Sequence, residues 1–402
     1  MRIVFVTPEF VTEEYFSGGL ANYLHRLSTA LTELGHEVDV ILPARGDAAT
    51  ERSGKVRIHY ATPASLPGWG RALLRAVPGL SRHWLGFGAA AWQMLEELSQ
   101  ARPVDLVQVT NLQACGLFIV TCSAVPHLTR LSSLPEWERE WVRPSGGPTD
   151  RLADWLERLQ VRWSRHVCAP SRALAAAAAT HRRDPVEVLR SPAFIETEQV
   201  DVGWADRVLG NRRYLLFVGR LERRKGAHIL AQALPPVFRA LPDCEAVFAG
   251  QDRRDHTGSS MEAQIRAWCQ DFGPRVHFLG ALSHPRLYAV MQRARLVVLP
   301  SLADNLPNTM LEAMCLGRPV VGTMGASFDE IIEDGHSGFL VPRANPEALA
   351  VRIQAAWLHP ALTQIGENGR AAVRPFAPET TVQSHLSLYA RIAGGVRAPG
   401  GA

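Results

Sequence analysis

Two carboxylates and two cations stand where they could act on a phosphorylated, hydroxyl-rich molecule. Asp304 and Glu312, with seven residues between them, bracket the start of a short helix in the stretch PSLADNLPNTMLEAMCLGRPVVGT, from Pro300 to Thr323. A helix start attracts phosphate through its unpaired amides and its positive dipole end. An acid on either side of that seat suits hydroxyl-rich groups at both ends of a diphosphate. A nucleotide sugar has this layout: sugar, two phosphates, ribose. Arg220 and Lys225, five apart in GRLERRKG, add fixed charge that can hold a diphosphate and stabilise it as a bond to it breaks. Each group also has a blander reading: Asp304 as a turn residue, Glu312 as an exposed helical acid, GRLERRKG as a basic turn in water.

The elements that must position these groups follow from hydrophobic pattern. A buried strand over Arg295 to Leu299 runs into a polar loop, a helix follows from about Pro307 to Leu316, and an apolar strand starts at Pro319. Asn305 is expected to cap the helix, Pro307 fits its first turn, and Gly317 sits where a left-handed residue ends it. YLLFV, Tyr214 to Val218, is a strand that delivers Gly219 and Arg220, and Gly226 precedes the next helix. At the amino end, a strand over Arg2 to Thr7, a loop over Pro8 to Gly19, a helix from about Leu20 to Leu34 and a strand over Val38 to Leu42 form a βαβ unit. Ligands of such sheets bind at the carboxyl ends of the strands, where Ser17, Gly18 and Gly19 lie. Paired glycines let a phosphate or another chain approach closely, although a bare Gly-Gly is also an ordinary turn.

Strand and helix signals alternate through the chain. Further strands are expected at Val56 to Tyr60, Val104 to Val109, His127 to Leu131 and Arg165 to Ala169, then again from Tyr214 onward. At 402 residues the chain exceeds what one core usually supports. The pattern breaks around Ser191 and Pro192, so the boundary is set near Phe194. The fold class is α/β: two doubly wound parallel-sheet, Rossmann-like domains, 1–194 and 195–377.

Three separated motifs carry a resemblance that spans nearly the whole chain. PEF with SGGLANYL and LTELGHEVDVILP, then GRL with KG, then DNLPNTMLEA, are similar to the signatures of family 4 retaining glycosyltransferases. The resemblance implies a GT-B architecture, with two domains facing a cleft and a final helix, 378–392, crossing back onto the first. It implies that Asp304 holds donor-sugar hydroxyls, that Glu312 holds the ribose, and that Arg220 and Lys225 bind the diphosphate. Gly18 and Gly19 would face that diphosphate. With Pro307 lacking an amide, the backbone donors shift to Leu306, Asn308 and Thr309. The family usually has Glu where this chain has Asp304, and often carries histidines where it has Thr110 with Asn111 and Ser132 with Ser133. Those hydroxyls and amide, with Trp137 in LPEWEREWVRPSGGP, are the sugar or acceptor contacts this chain offers in their place. Arg223 and Arg224 are unusual for the family and are expected at the surface.

Hydrophobic residues make up 47% and charged residues 20%, as in soluble globular proteins, and a net charge of +4 comes from dispersed arginines. That argues against a dedicated nucleic-acid binder. Six scattered cysteines without a Cys-x-x-Cys pair read as reduced core residues of a cytosolic protein. Gly68 to Leu95 mixes Trp69, Trp84 and Trp92 with arginines; it suits either an amphipathic membrane surface or, because Pro78 and Gly79 interrupt it, plain helix packing. Localisation is expected to be cytoplasmic, with peripheral membrane contact as an option. The expected activity is transfer of a UDP- or GDP-sugar to a sugar-containing, lipid-linked or small-molecule acceptor with retention. The alternatives are a nucleotide-sugar 2-epimerase on the same fold and a non-catalytic transferase-like binding subunit.

No Asp-x-Asp and no His-x-x-x-His pair occurs in the chain, so no cofactor is expected beyond the substrate and cations are expected to do a metal's work. The rate of sugar transfer should therefore hold within about twofold when EDTA is added, since metal-bound carboxylates would lose their ion. A strict Mn²⁺ or Mg²⁺ requirement in that assay would refute the cation reading.

Overall fold

The computed structural model describes residues 1–11, 18–44, 50–63, 68, 75, 79–135, 147–193, 195, 200–253 and 258–395. It forms two compact units, Met1–Pro192 with Pro378–Ala402, and Ala193–Ala377. The chain enters the second unit two residues before the expected boundary. The reason is visible at the seam: the Ala193 amide donates to the Phe376 carbonyl at 2.8 Å, which pairs the segments entering and leaving that unit. Phe194 itself lies outside the described residues.

The first unit is built on strands β1 (Arg2–Val6), β2 (Glu37–Pro43), β3 (Thr50–Ser53), β4 (Val56–Ala61), β5 (Leu106–Thr110), β6 (His127–Arg130), β7 (Val167–Ala169) and β8 (Glu187–Val188). Their order in the sheet is β3-β4-β2-β1-β5-β6-β7-β8. All pairs are parallel except β3 with β4. The antiparallel edge strand was missed in the sequence because TERS is polar and exposed, with no period-2 apolar signal. β1 and β5 are buried at every position, as parallel strands covered on both faces must be. The helix Gly79–Ala101 starts where Pro78 and Gly79 break the pattern, and its half-buried Trp92 packs on the core, so this part of the Trp-rich stretch is packing. Trp69 falls outside the described residues.

The last helix, Pro378–Gly395, belongs to the first unit and extends three residues past the expected end. A directed chain of buried hydrogen bonds seats it. Tyr389 donates to Gln108 Oε1 (2.7 Å), Gln108 Nε2 to the Tyr23 oxygen (3.2 Å), and Tyr23 to His385 Nε2 (2.9 Å). His385 Nδ1 donates to the Thr381 carbonyl (2.7 Å), which leaves Nε2 as the acceptor and the ring neutral. Burial drives the His385 pKa down to about 3 and the Tyr23 hydroxyl up to about 12.

The second unit has β9 (Tyr214–Val218), β10 (Glu245–Ala249), β11 (Val276–Gly280), β12 (Leu296–Leu299), β13 (Val320–Thr323) and β14 (Phe339–Val341), ordered β11-β10-β9-β12-β13-β14 and parallel throughout. Strand order reverses between β1 and β5 in the first sheet and between β9 and β12 in the second. Those reversals open the crevices where doubly wound sheets take ligands. Among the described residues no helix is long and apolar enough to cross a membrane.

One charge is buried deep in the first unit. Asp39 on β2 is fully buried and accepts from Arg2 Nε on β1 (3.0 Å), and from Arg57 Nε (2.7 Å) and His59 Nε2 (2.8 Å) on β4. Burial pushes its carboxyl up, but the bonds from Arg57, His59 and Arg2 outweigh this and hold it well below the ordinary range. A depressed folded pKa contributes stability above the unfolded value, near 3.9, and that stability is lost as pH falls. Asp39→Asn should lower the opening free energy of β1 and β2 amides by about 3 kcal/mol at pH 7, because it strands the buried Arg2 and the half-buried Arg57. The gap from wild type should shrink below about pH 4. Hydrogen exchange that is equal in both proteins at pH 7 would refute the assignment.

Candidate active site

The two loops at the second unit's reversal are brought together, and with them Lys225 and Asp304. β9 delivers Gly219 and Arg220; β12 delivers Pro300 to Asp304. Lys225 Nζ meets Asp304 Oδ2 at 2.5 Å. The same oxygen lies 3.4 Å from Ser301 Oγ, while Oδ1 accepts the Asn305 amide at 3.2 Å. Asp304 is thus a buried, four-way anchored group with Ser327 Oγ donating to its carbonyl (3.3 Å), and not a solvated turn residue. Burial raises its carboxyl pKa, yet Lys225 and Arg224 together hold it below the ordinary value. Burial lowers the Lys225 ammonium, and Asp304 opposes that shift.

Close approach of the two loops needs glycine. Gly226 has φ 72, and a Cβ there would run into the Pro300 carbonyl oxygen and carbon. The loop from β9 can therefore lie on the loop from β12 only because position 226 lacks a side chain.

Helix Asn308–Cys315 follows, one residue later than expected at its start and one shorter at its end. Pro307 takes the cap position and no side chain caps the helix. Asn305 is therefore not the cap: its amide is turned to Asp304, and Leu306 and Pro307 stand between it and the helix, which the cap residue must adjoin. Gly317 is left-handed (φ 66), as expected. Asn308 and Thr309 stand half-buried in the first turn, and Leu306 packs on the core below it. Glu312 is buried, with the Tyr288 hydroxyl 3.5 Å from Oε1 and the His284 ring stacked on Tyr288 at 5.3 Å. An exposed-acid reading of Glu312 fails.

In the first unit, Gly18 has φ 108 and the Glu9 carboxylate fills the space of its missing Cβ. Gly19 opens helix Gly19–Glu33. Ser17 and Trp137 lie outside the described residues. The loops after β5 and β6 are braced by the residues that replace the family's histidines. Thr110 Oγ1 and Ser132 Oγ are 3.0 Å apart; Asn111 Nδ2 donates to the Ser133 carbonyl (2.7 Å), and the Ser132 amide donates to Asn111 Oδ1 (2.8 Å). Asn111 is fully buried and Thr110 nearly so, which leaves Ser132 and Ser133 as the half-exposed members. Beyond them Gln113 and Ala114 adopt left-handed backbone (φ 60 and 50). The loop is held there by Glu157, which accepts the Gln113 amide at 2.8 Å, and by Gln160, which accepts the Gly116 amide at 3.1 Å and donates to the Thr110 carbonyl at 2.9 Å. Glu157 and Gln160 lie 44 or more residues away in sequence, and no local pattern marks them. His127 opens β6 at its amino end, three residues before the carboxyl end at Arg130, so it faces the opposite edge of the sheet from these loops. Among the described residues no cluster of His, Cys, Asp and Glu is arranged to hold a metal ion.

Two units of doubly wound parallel sheet, each with its loops gathered at a reversal of strand order, define the two-domain GT-B class of glycosyltransferases. Family models agree: Glycosyltransferase Family 4 matches residues 17–198, and Glycosyl transferases group 1 matches residues 212–358. A glycogen synthase of Mycobacterium tuberculosis is 25% identical over 99% of this chain and 97% of its own. Among solved structures, the sucrose-phosphate synthase of Thermosynechococcus elongatus superposes with a TM-score of 0.78 at 20% identity, covering 98% of this chain and 99% of that one. Anabaena HepE in complex with UDP and glucose superposes with a TM-score of 0.73 at 20% identity, covering 97% and 100%. The chain belongs to the group 1, family 4-like glycosyltransferases.

Two left-handed glycines separate backbone strain from steric contact. Gly335 (φ 76) has open space at its Cβ position, whereas Gly226 meets Pro300. Gly335→Ala should cost about 1 kcal/mol of stability and keep sugar transfer. Gly226→Ala should lose transfer by about tenfold or more, because the loops must part. Equal activities would show that loop contact is dispensable.

Proposed function

We propose that this glycosyltransferase uses a UDP- or GDP-sugar held by its second unit and transfers the sugar with retention, without a metal, to a sugar-containing, lipid-linked or small-molecule acceptor. The observation that carries this reading is the meeting of Lys225 with Asp304 at the reversal of the second sheet, beside the helix start at Asn308. Cations there suit the diphosphate, the first-turn positions of Asn308 and Thr309 add backbone donors, and the buried Glu312 suits a ribose diol. Among the described residues one amide engages Asp304 Oδ1, so a carboxylate lone pair is left for a sugar hydroxyl. HepE, whose structure holds UDP and glucose, supports a donor of this class. Work in the cytoplasm, with peripheral membrane contact for a lipid-linked acceptor, suits such a donor.

Retention is favoured by what the first unit offers. Thr110, Asn111 and Ser132 are not basic near neutral pH. His127 stands at the wrong end of its strand. In a front-face reaction the acceptor oxygen bonds to the anomeric carbon as the bond to the diphosphate breaks, and the acceptor proton passes to the departing phosphate oxygen. Arg220 and Lys225 stabilise the charge that develops on that diphosphate.

The test is acceptor-dependent release of nucleoside diphosphate, with proton NMR of the first-formed product from a donor of known anomeric configuration. The same configuration is expected in the product, and inversion would refute the mechanism. Arg220→Ala and Lys225→Ala should each lower kcat on the order of 100-fold while the fold survives, as removal of transition-state electrostatics does. Activity within a few-fold of wild type in both variants would remove these cations from the site.

A further inference from the structure

Between the two cations lie residues that the motif does not explain. Arg223 is exposed, as expected, but Arg224 is not a free surface side chain. Its Nη1 donates to the Ala303 carbonyl at 3.3 Å and its Nη2 to Glu222 Oε1 at 3.2 Å. Its own carbonyl accepts the Leu302 amide at 2.8 Å. Glu222 Oε1 also lies 3.3 Å from Arg220 Nη2. One carboxylate oxygen therefore joins Arg220 to Arg224, and Arg224 joins both to the loop that carries Asp304.

We propose that Glu222 and Arg224 are positioning residues of the donor site: a clasp that orients the Arg220 guanidinium and locks the loop after β9 to the loop after β12. The inference rests on the reading of Arg220 and Lys225 as the diphosphate seat. Its physics is preorganisation. Arg220 is 42% exposed on a flexible side chain, and an untethered guanidinium would have to be ordered each time a diphosphate bound. Glu222 takes one of five N–H donors and fixes the plane, which leaves the others for phosphate oxygens. Arg224 suits the second role because a planar fork can bond a carbonyl and a carboxylate at once, and an ammonium on a single point cannot hold both in that geometry. Lys225 sits next in sequence to Arg224, so the two bonds to Ala303 and Leu302 also set where its ammonium meets Asp304. Arg224 charge also helps to keep Asp304 ionised.

The experiment is calorimetric titration of the full chain with UDP, and with GDP should UDP not bind. Glu222→Gln should weaken nucleoside diphosphate binding about tenfold in the wild-type background and by less than about twofold in the Arg220→Ala background, since an effect exerted through Arg220 vanishes with it. Arg224→Lys should be as weak as Arg224→Met within about threefold, and Arg223→Met should bind as wild type does, because only the fork position matters. Glu222→Asp, whose carboxylate falls short of both guanidiniums, carries the same test if Glu222→Gln does not fold. Three results would overturn the clasp: equal losses in both backgrounds, wild-type binding in Glu222→Gln, or rescue by Arg224→Lys. A wild-type protein that binds neither UDP nor GDP overturns the donor reading itself, and the clasp with it.

Discussion

A charge taken partly out of water needs a partner, and in the second unit the Lys225 ammonium and the Asp304 carboxylate are each other's. That requirement orders everything near it. Strands β9 and β12 must be neighbours for their loops to meet, Gly226 must lack a side chain for the loops to touch, and Ser301 and the Asn305 amide must face inward to finish the carboxylate's bonds. The pair is also mixed in sense. Burial weakens the charged form of each partner, and the other partner opposes that shift. An incoming diphosphate can share Lys225 because Asp304 has other donors to fall back on.

The first unit solves a different problem with the same means. Its polar groups at the sheet reversal are spent on holding loops: Asn111 ties the loop after β5 to the one after β6, and Glu157 with Gln160 secures a stretch in which Gln113 and Ala114 sit in a conformation that side chains disfavour. Backbone held in such a state by distant, buried partners is commonly found where a ligand must be met by fixed groups. The result is a hydroxyl and amide lining, with Ser132 and Ser133 its half-exposed members.

Deeper in that unit, polar order reaches the core. Asp39 links three adjacent strands, and the Tyr389, Gln108, Tyr23 and His385 chain fastens the last helix to the first sheet. Every donor in that chain has an acceptor, which is the condition under which buried polar groups specify a structure without destabilising it. The helix Pro378–Gly395 is therefore part of the first unit's core, although a whole second unit is inserted between.

Periodicity and turn chemistry in the sequence were enough for the two-unit α/β class, most parallel strands and the loops at their carboxyl ends, because each depends on residues near one another in the chain. Apolar runs such as YLLFV and RLVVL, bounded by turn residues, fit strands buried on both faces, and Gly317 fits a helix end. The sequence could not say that Asp304 and Lys225 touch, or that Arg224 bonds the Ala303 carbonyl in the loop after β12. It could not place Glu157 against Gln113 or His385 against Tyr23. Those facts arise from contacts between segments 44 to 362 residues apart. Such contacts are selected by which strands become neighbours and by which buried polar groups must find partners once water is gone, and only the folded chain decides both.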